Sequence, residues 1–290
     1  MSSSRRSRGF VLFVVLVIVS VLASLLFSIY YLSQVSYTRA QGFKDYATAY
    51  HAAVSAVKIA LKFLKEDNNK FDGEGDDWAR PIVYNYRGIF VSVRISDECG
   101  KVNVNKITGE REFQILKRLF KELSLEPSLA DSIRDWVDRD DEPQPEGAES
   151  SYYESLGYKP TNGPMKSLGE LLYIKGVNQR LYKRLKKYLT VYGKGKVNVN
   201  SAPKEVLMAL SPNLGPEAAD SIIEARPIED VSKLLELPGI TKELYFEIRP
   251  LITNRCNYFK IEATASYGEA TAQVEAFTTR GRVLEWKVIQ

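Results

Sequence analysis

The stretch GFVLFVVLVIVSVLASLLFSIYYL, residues 9–32, carries no charged side chain, and the first charge after it is Arg39. Its apolar core, Phe10 to Leu32, exceeds the roughly 20 residues that a helix needs to cross a bilayer. A cleaved secretory signal instead has an apolar region of about 7–15 residues, followed by a cleavage site between small residues. No such site stands out near the end of this stretch, so the sequence predicts a membrane-spanning helix at 10–33.

The helix is expected to continue beyond the membrane. Apolar residues from Ala47 to Leu64 keep an alternating spacing of three and four, which places them on one helical face. The pattern predicts one helix from about residue 10 to residue 65, whose amphipathic second half packs on a sheet. Three basic residues before the span predict a cytosolic N-terminus and an external C-terminal domain: Arg5, Arg6 and Arg8.

The composition argues against an enzyme and against a nucleic-acid-binding protein. The net charge is only +4 over 290 residues, and nothing in it calls for a nucleic-acid partner. His51 is the only histidine, and there are only two cysteines. Few residues therefore remain for a zinc site or a cysteine–histidine nucleophile. Gly-x-Ser-x-Gly and P-loop motifs are also missing, so we expect no catalytic activity.

An internal repeat organises the middle of the chain. Gly-Lys-Val-Asn-Val-Asn occurs at 100–105 and again at 195–200. Ala-Asp-Ser-Ile recurs with an offset of 89 residues, at 130–133 and 219–222, and a later match has an offset of 63 residues. The first copy therefore holds 26 extra residues. Each copy is predicted to form short helices. The turns at 174–177 and 237–240 resemble helix-hairpin-helix turns, which present backbone N–H groups to phosphate in DNA-binding proteins.

Strand patterns flank this helical block. Residues 81–86 and 89–96 precede it as a hairpin pattern, and a meander pattern follows it at 258–266, 270–278 and 282–288. The sequence therefore predicts an α+β fold. In this fold a long N-terminal transmembrane and amphipathic helix packs on an antiparallel sheet, and an all-α domain of two helix-hairpin-helix-like repeats, residues 100–254, is inserted between strands.

The N-terminal motif Arg-Ser-Arg-Gly-Phe, residues 6–10, resembles the class III leader of type IV pilins and type II secretion pseudopilins. In those proteins a prepilin peptidase cuts after the glycine, here Gly9, and the new first residue, here Phe10, is N-methylated. The resemblance implies a leader of residues 1–9. Most members carry glutamate at the fifth mature position, where this sequence has Val14. Its absence is typical of the large minor pseudopilin K (the GspK family) and fits a subunit at the fibre tip.

Two further stretches resemble the same family, one from Arg134 to Met165 and one from Val197 to Leu207. The resemblance implies a pilin-like α+β domain, residues 34–99 and 255–290, around the insertion. It also implies a structural role at the tip of the pseudopilus in export across the outer membrane. The expected location is the inner membrane, in a single pass, with the main domain in the periplasm. The expected partners are other minor pseudopilins, the prepilin peptidase and the lipid bilayer, with no nucleic acid. The alternative is a membrane-anchored helix-hairpin-helix protein that binds DNA in an uptake machinery.

Acidic residues concentrate where the 26 extra residues begin. Proline and glycine interrupt this acidic loop, residues 138–165, and carboxylates every two or three positions can converge on a calcium ion. The spacing does not match an EF-hand, and a solvated acidic loop is the alternative. The family resemblance implies a structural calcium site here. It implies these ligands: Asp138, Asp140 and Glu149 first, then Asp135 and Glu146.

The two cysteines lie at the two ends of the insertion, Cys99 before the first repeat and Cys256 after the second. An external compartment permits a disulfide. One hypothesis is that the two cysteines pair and close the base of the helical domain. The other is that both remain buried free thiols.

Overall fold

The computed structural model describes residues 3–289, with side chains described from residue 10 to residue 289. Its α-helices are α1 (Ser3–Glu66), α2 (Glu110–Glu122), α3 (Leu129–Val137), α4 (Ser150–Ser155), α5 (Gln179–Leu185), α6 (Lys204–Ala209), α7 (Pro216–Glu224) and α8 (Lys242–Ile248). Its strands are β1 (Ile82–Tyr86), β2 (Ile89–Asp97), β3 (Val102–Asn103), β4 (Leu189–Thr190), β5 (Val197–Asn198), β6 (Ile252–Thr253), β7 (Tyr258–Tyr267), β8 (Ala270–Thr279) and β9 (Val283–Ile289).

The long helix α1 has two different halves. Every side chain from Phe10 to Gln34 is exposed, whereas Ala49, Ala53 and Leu64 are buried. By length and composition, α1 is the only helix of the described chain that could cross a membrane. Of the predicted leader, residues 1–2 lie outside the described residues, and only the backbone is described for residues 3–9.

The second half of α1 packs on a five-stranded antiparallel sheet with the strand order β1-β2-β7-β8-β9. Alternate residues of β7 point into the core, so that Phe259, Ile261 and Ala263 meet the alanine-rich face of α1. This alternation follows from the two-residue period of a strand. The predicted α+β architecture with a long N-terminal helix is confirmed.

Residues 98–257 connect β2 to β7 and contain the helices α2 to α8, around a core of their own. Each copy of the hexapeptide starts a two-stranded parallel pair, β3 with β4 and β5 with β6. The repeat also places one asparagine from each copy in an equivalent position. Asn105 exchanges two hydrogen bonds with the backbone of Met165, at 2.8 and 2.9 Å. Asn200 does the same with Ile228, at 2.7 and 3.0 Å. The repeated sequence thus forms the same pair of long-range hydrogen bonds twice.

Candidate metal centre in the acidic loop

Three carboxylates meet at the C-terminal end of α3. Asp135 lies in the last turn of this helix, Asp138 follows directly after it, and Glu149 immediately precedes α4. One carboxylate oxygen of each residue lies within 4.8 Å of the other two. The loop between residues 138 and 149 leaves α3 and returns to it, which brings Glu149 back to the two aspartates. We call Asp135, Asp138 and Glu149 the acidic trio.

The loop backbone closes tightly over Asp135. This side chain is fully buried and accepts hydrogen bonds from the backbone N–H of Gln144 at 3.1 and 3.2 Å. A Cβ atom at Gly147 would lie 1.7 Å from Oδ2 of Asp135. A glycine is therefore required for the loop to approach this closely.

Several oxygens of the trio are buried without a hydrogen-bond partner. Among the described residues, no partner exists for either side-chain oxygen of Glu149 or for Oδ1 of Asp138. Glu149 is only 3% exposed. A buried charged oxygen without a partner carries a large desolvation cost. Among the described residues, Arg134 acts on Asp138 as a positive charge, and it leaves the negative charge of the trio only partly balanced.

The pKa values of the trio reflect this imbalance. Burial, and then the charges of Asp135, Asp138 and Asp141, raise the pKa of Glu149 to about 8. Burial, and then the charges of Asp140 and Asp135, raise the pKa of Asp138 to about 6. Burial also raises the pKa of Asp135. A cation would remove this repulsion, and carboxylate oxygens are the ligands that calcium prefers. The residues present therefore fit a hard divalent cation.

Two of the predicted ligands lie outside the trio. Asp140 is exposed, and its Oδ1 accepts a hydrogen bond from the backbone N–H of Glu142 at 3.1 Å. Glu146 is also exposed, and its backbone carbonyl accepts a hydrogen bond from Lys175 at 3.2 Å. The structure thus brings together Asp135, Asp138 and Glu149, but not the other two.

Cys99 and Cys256 form a disulfide at the base of the insertion, with their Cα atoms 5.7 Å apart. The polar groups around it are buried as well. Asp97, two residues before Cys99, accepts hydrogen bonds from the Ser201 hydroxyl at 2.7 Å and from the Gly100 N–H at 3.0 Å. The disulfide and these bonds join the two ends of the insertion to the end of the sheet.

A second acidic cluster was not predicted from the sequence. Asp67, Asp72 and Asp76 each place a carboxylate oxygen within 4.8 Å of the other two. The sequence nevertheless contains an indication of this cluster, because residues 66–77 contain six acidic side chains and a single lysine. This cluster lies after the C-terminus of α1, far along the chain from the acidic loop.

Comparisons with known proteins agree over most of the chain. Two family models described as type II secretion system protein K match residues 100–194 and 197–245. Proteins named type II secretion system protein K are similar in sequence. That of Aeromonas hydrophila is 28% identical, over 97% of this chain and 96% of the relative. That of Pseudomonas aeruginosa is 26% identical, over 96% of this chain and 90% of the relative. That of Klebsiella pneumoniae is 27% identical, over 93% of this chain and 91% of the relative.

A solved structure has a similar fold. It is the GspK–GspI–GspJ complex from the type 2 secretion system of enterotoxigenic Escherichia coli, one chain of which aligns with a TM-score of 0.68. The alignment covers 89% of this chain and 98% of that chain, at 20% sequence identity. The fold of this chain is therefore similar to that of the aligned chain over most of its length.

Proposed function

Because the chain belongs to the type II secretion system protein K family, we propose that it is the minor pseudopilin that caps the tip of the secretion pseudopilus. In this role it is a structural subunit in protein export across the outer membrane. It acts by assembly with other subunits rather than by catalysis.

This proposal rests on the position of the helical insertion, which emerges from one particular end of the sheet. Near the C-terminus of α1, Arg280 donates a hydrogen bond to the carbonyl of Leu64 at 2.7 Å and contacts Asp72. Asp72 accepts a hydrogen bond from the backbone N–H of Cys256, at the base of the insertion, at 2.8 Å. The insertion therefore leaves the sheet at the end of α1 that is farthest from the membrane-spanning half.

This position favours a cap over an internal subunit. The opposite end of the sheet, at the turn after β7, approaches α1 near Asp45, where a Cβ at Gly268 would lie 2.5 Å from the carboxylate. In a fibre of parallel subunits, the next subunit would have to occupy the space beyond the end of the sheet that is farthest from the membrane-spanning half of α1. The insertion of about 160 residues fills that space, so the subunit fits where nothing follows.

The membrane segment supports the same proposal. We propose that a prepilin peptidase cuts after Gly9 and that Phe10 becomes the N-methylated first residue. The mature helix then has Val14 at its fifth position, without a carboxylate to pair with the amine of a neighbouring subunit. The proposed topology is a single pass through the inner membrane, with a cytoplasmic N-terminus and the main domain in the periplasm.

For partners we propose other minor pseudopilins, of the kinds named GspI and GspJ in the solved complex. The hairpin β1–β2 offers a contact surface outside the membrane segment. Its side chains Val83, Tyr86 and Phe90 are 71%, 60% and 58% exposed. Val83 and Phe90 lie on one face of the hairpin and Tyr86 on the other. Exposed apolar side chains of this kind are typical of protein-contact sites.

We also propose that calcium binds the acidic trio. Asp135, Asp138 and Glu149 would hold the ion, which would supply the positive charge that their buried oxygens lack. Its role is structural, because it would tie the loop after α3 to the start of α4 in a segment without a regular element between them.

Co-purification tests the proposed function. The full-length chain, extracted in detergent, is expected to co-purify with GspI- and GspJ-type pseudopilins from the same secretion system. Tyr86→Ala with Phe90→Ala should weaken this association, because both changes remove exposed aromatic area from the hairpin. Phe246→Ala is the control, since it removes an aromatic side chain that is at least as exposed, from α8.

The opposite result would point to the alternative function. Duplex DNA binding that falls with added salt is the signature of phosphate contacts. If the full-length chain binds duplex DNA in this way and retains no minor pseudopilin, the tip-subunit proposal is wrong.

A further inference from the structure

We propose that the segment after α1 forms a second cation site, in the pilin-like domain, which binds a hard divalent cation through Asp67, Asp72 and Asp76. We call these three residues the junction cluster. This inference is independent of the acidic trio and of the proposed role at the pseudopilus tip.

The first argument is an oxygen without a partner. Asp76 is 2% exposed, and among the described residues its Oδ2 has no hydrogen-bond partner. Its other oxygen accepts hydrogen bonds from the side chain of Asn69 at 2.6 Å and from the backbone N–H of Asp77 at 2.7 Å. The carboxylate is thus held through one oxygen, and one of its oxygens lies within 4.8 Å of an oxygen of Asp67 and of Asp72. Burial, and then the charge of Asp67, raise the pKa of Asp76.

The second argument is the charge balance. Arg280 contacts Asp67 at 2.9 Å and also contacts Asp72. Apart from Arg280, the nearest described cation is Arg255, whose Nε lies 3.9 Å from Asp72 and whose side chain is 54% exposed. Three carboxylates therefore face one well-placed guanidinium. The excess negative charge is concentrated at Asp76, which forms no salt bridge in the described part of the chain.

The third argument is the space next to Asp76. A cavity of about 290 Å³ opens there, lined by acidic, amide and aromatic side chains without a basic one among its described lining residues. Glu66 and Asp77 add two more carboxylates to the rim, and Asn68 and Asn69 add amide oxygens. Arg280 lies on the other side of the cluster, against the carbonyl of Leu64 and the ring of Phe259. Besides Phe63 and Trp78, the described residues that line the cavity all carry carboxylate or amide oxygens, and calcium takes six to eight oxygen ligands.

An ion at this position would have a structural consequence. Asp72 binds the backbone N–H of Cys256 at 2.8 Å, and Asp67 binds Arg280 of the turn between β8 and β9. The junction cluster therefore links the end of α1, the sheet and the base of the helical insertion. A bound cation would stiffen the connection between the two domains.

Terbium luminescence tests the proposal, because a nearby tryptophan sensitises the bound ion. Trp78 lines the cavity beside Asp76, whereas Trp136 directly follows Asp135 of the acidic trio in α3. The full-length chain in detergent would carry Glu149→Gln, which disables the trio. We expect calcium-displaceable terbium emission that disappears with Trp78→Phe and persists with Trp136→Phe.

Substitutions of single carboxylates then identify the ligands. Asp76→Asn retains a side-chain oxygen for the Asp77 N–H but removes the charge. We expect it to weaken calcium competition at least about tenfold, the scale on which perturbed metal sites lose affinity. Glu74→Gln is the matched control, because it removes an exposed charge from the same segment outside the cavity, and it should leave binding unchanged.

Two results would overturn the proposal, and neither depends on the stability of one variant. One is terbium emission that is absent in the Glu149→Gln chain while Trp78 is intact. The other is emission that is equally strong with Asp76→Asn and with Glu74→Gln. Calcium binding that persists in calorimetry of the Trp78→Phe chain would support the site, since that change removes the sensitiser and none of the carboxylates.

Discussion

Replacing Glu149 by Gln should stabilise the calcium-free protein and abolish its response to calcium. The unfolded carboxyl titrates near its ordinary value of 4.5, whereas the folded one titrates at about 8. Between these values the folded state holds a proton that the unfolded state has released, so stability falls as pH rises through this window. At 1.36 kcal/mol per pKa unit, the cost at pH 7.5 is at most about 4 kcal/mol. Near pH 5 it shrinks to about 1 kcal/mol or less.

The assay is thermal unfolding of the full-length chain in detergent, with calcium or with EDTA, at pH 5 and pH 7.5. For the unmodified chain, calcium at 100 times its Kd adds about 2.7 kcal/mol, or a rise in Tm of roughly 5–10 °C. Glu149→Gln should melt higher than the unmodified chain in EDTA at pH 7.5, and calcium should not shift it. Glu146→Gln is the matched control, because this exposed glutamate of the same loop lies outside the trio. A Glu149→Gln chain that melts lower in EDTA, or that gains as much from calcium as the control, would refute the reasoning.

Three further predictions concern other parts of the chain. Reduction of the disulfide between Cys99 and Cys256, which are 157 residues apart, should lower the free energy of unfolding by up to about 5 kcal/mol on the chain-entropy model; equal urea midpoints with and without reductant would contradict this. Gly147→Ala should weaken calcium binding in calorimetry, because its Cβ would collide with the buried aspartate of the trio, whereas Gly163→Ala in the same loop has no neighbour closer than 3.7 Å and should bind normally. Gly9→Leu should leave the leader uncleaved in cells that express the prepilin peptidase, and mass spectrometry should find the precursor; a mature form that starts at the next residue would disprove the assigned cleavage site.

Much of the architecture was predictable, because its signals are local and repeated. The uncharged run before Thr38 and the helical spacing up to Leu64 predict one continuous helix, and α1 ends at Glu66. Alternating strand patterns on both sides of the helical block predicted the sheet. The duplicated hexapeptide marks equivalent positions in the structure. Asn105 and Asn200 each form hydrogen bonds with the backbone of a residue far along the chain.

The candidate metal centre was predictable only as a region. Charge spacing indicated that the acidic loop holds carboxylates near one another, and the family resemblance suggested calcium. On that basis Asp140 was predicted as a calcium ligand ahead of Asp135. In the structure, Asp135 is fully buried within the trio and Asp140 is exposed. The reason is that the helical phase of α3 and the return of the loop at Gly147 decide which carboxylates face inward.

By itself, the sequence determined the membrane helix, the α+β class, the inserted repeat and the family, because hydrophobic periodicity and repeated motifs are properties of neighbouring residues. Only the tertiary structure decided which carboxylates converge, that Cys99 and Cys256 meet, and that Asp76 is buried with one oxygen unpaired. These features depend on contacts between residues up to 157 positions apart. The physical reason is that burial and electrostatic repulsion depend on what surrounds a side chain in space. The spacing of charges along the chain does not reveal these surroundings.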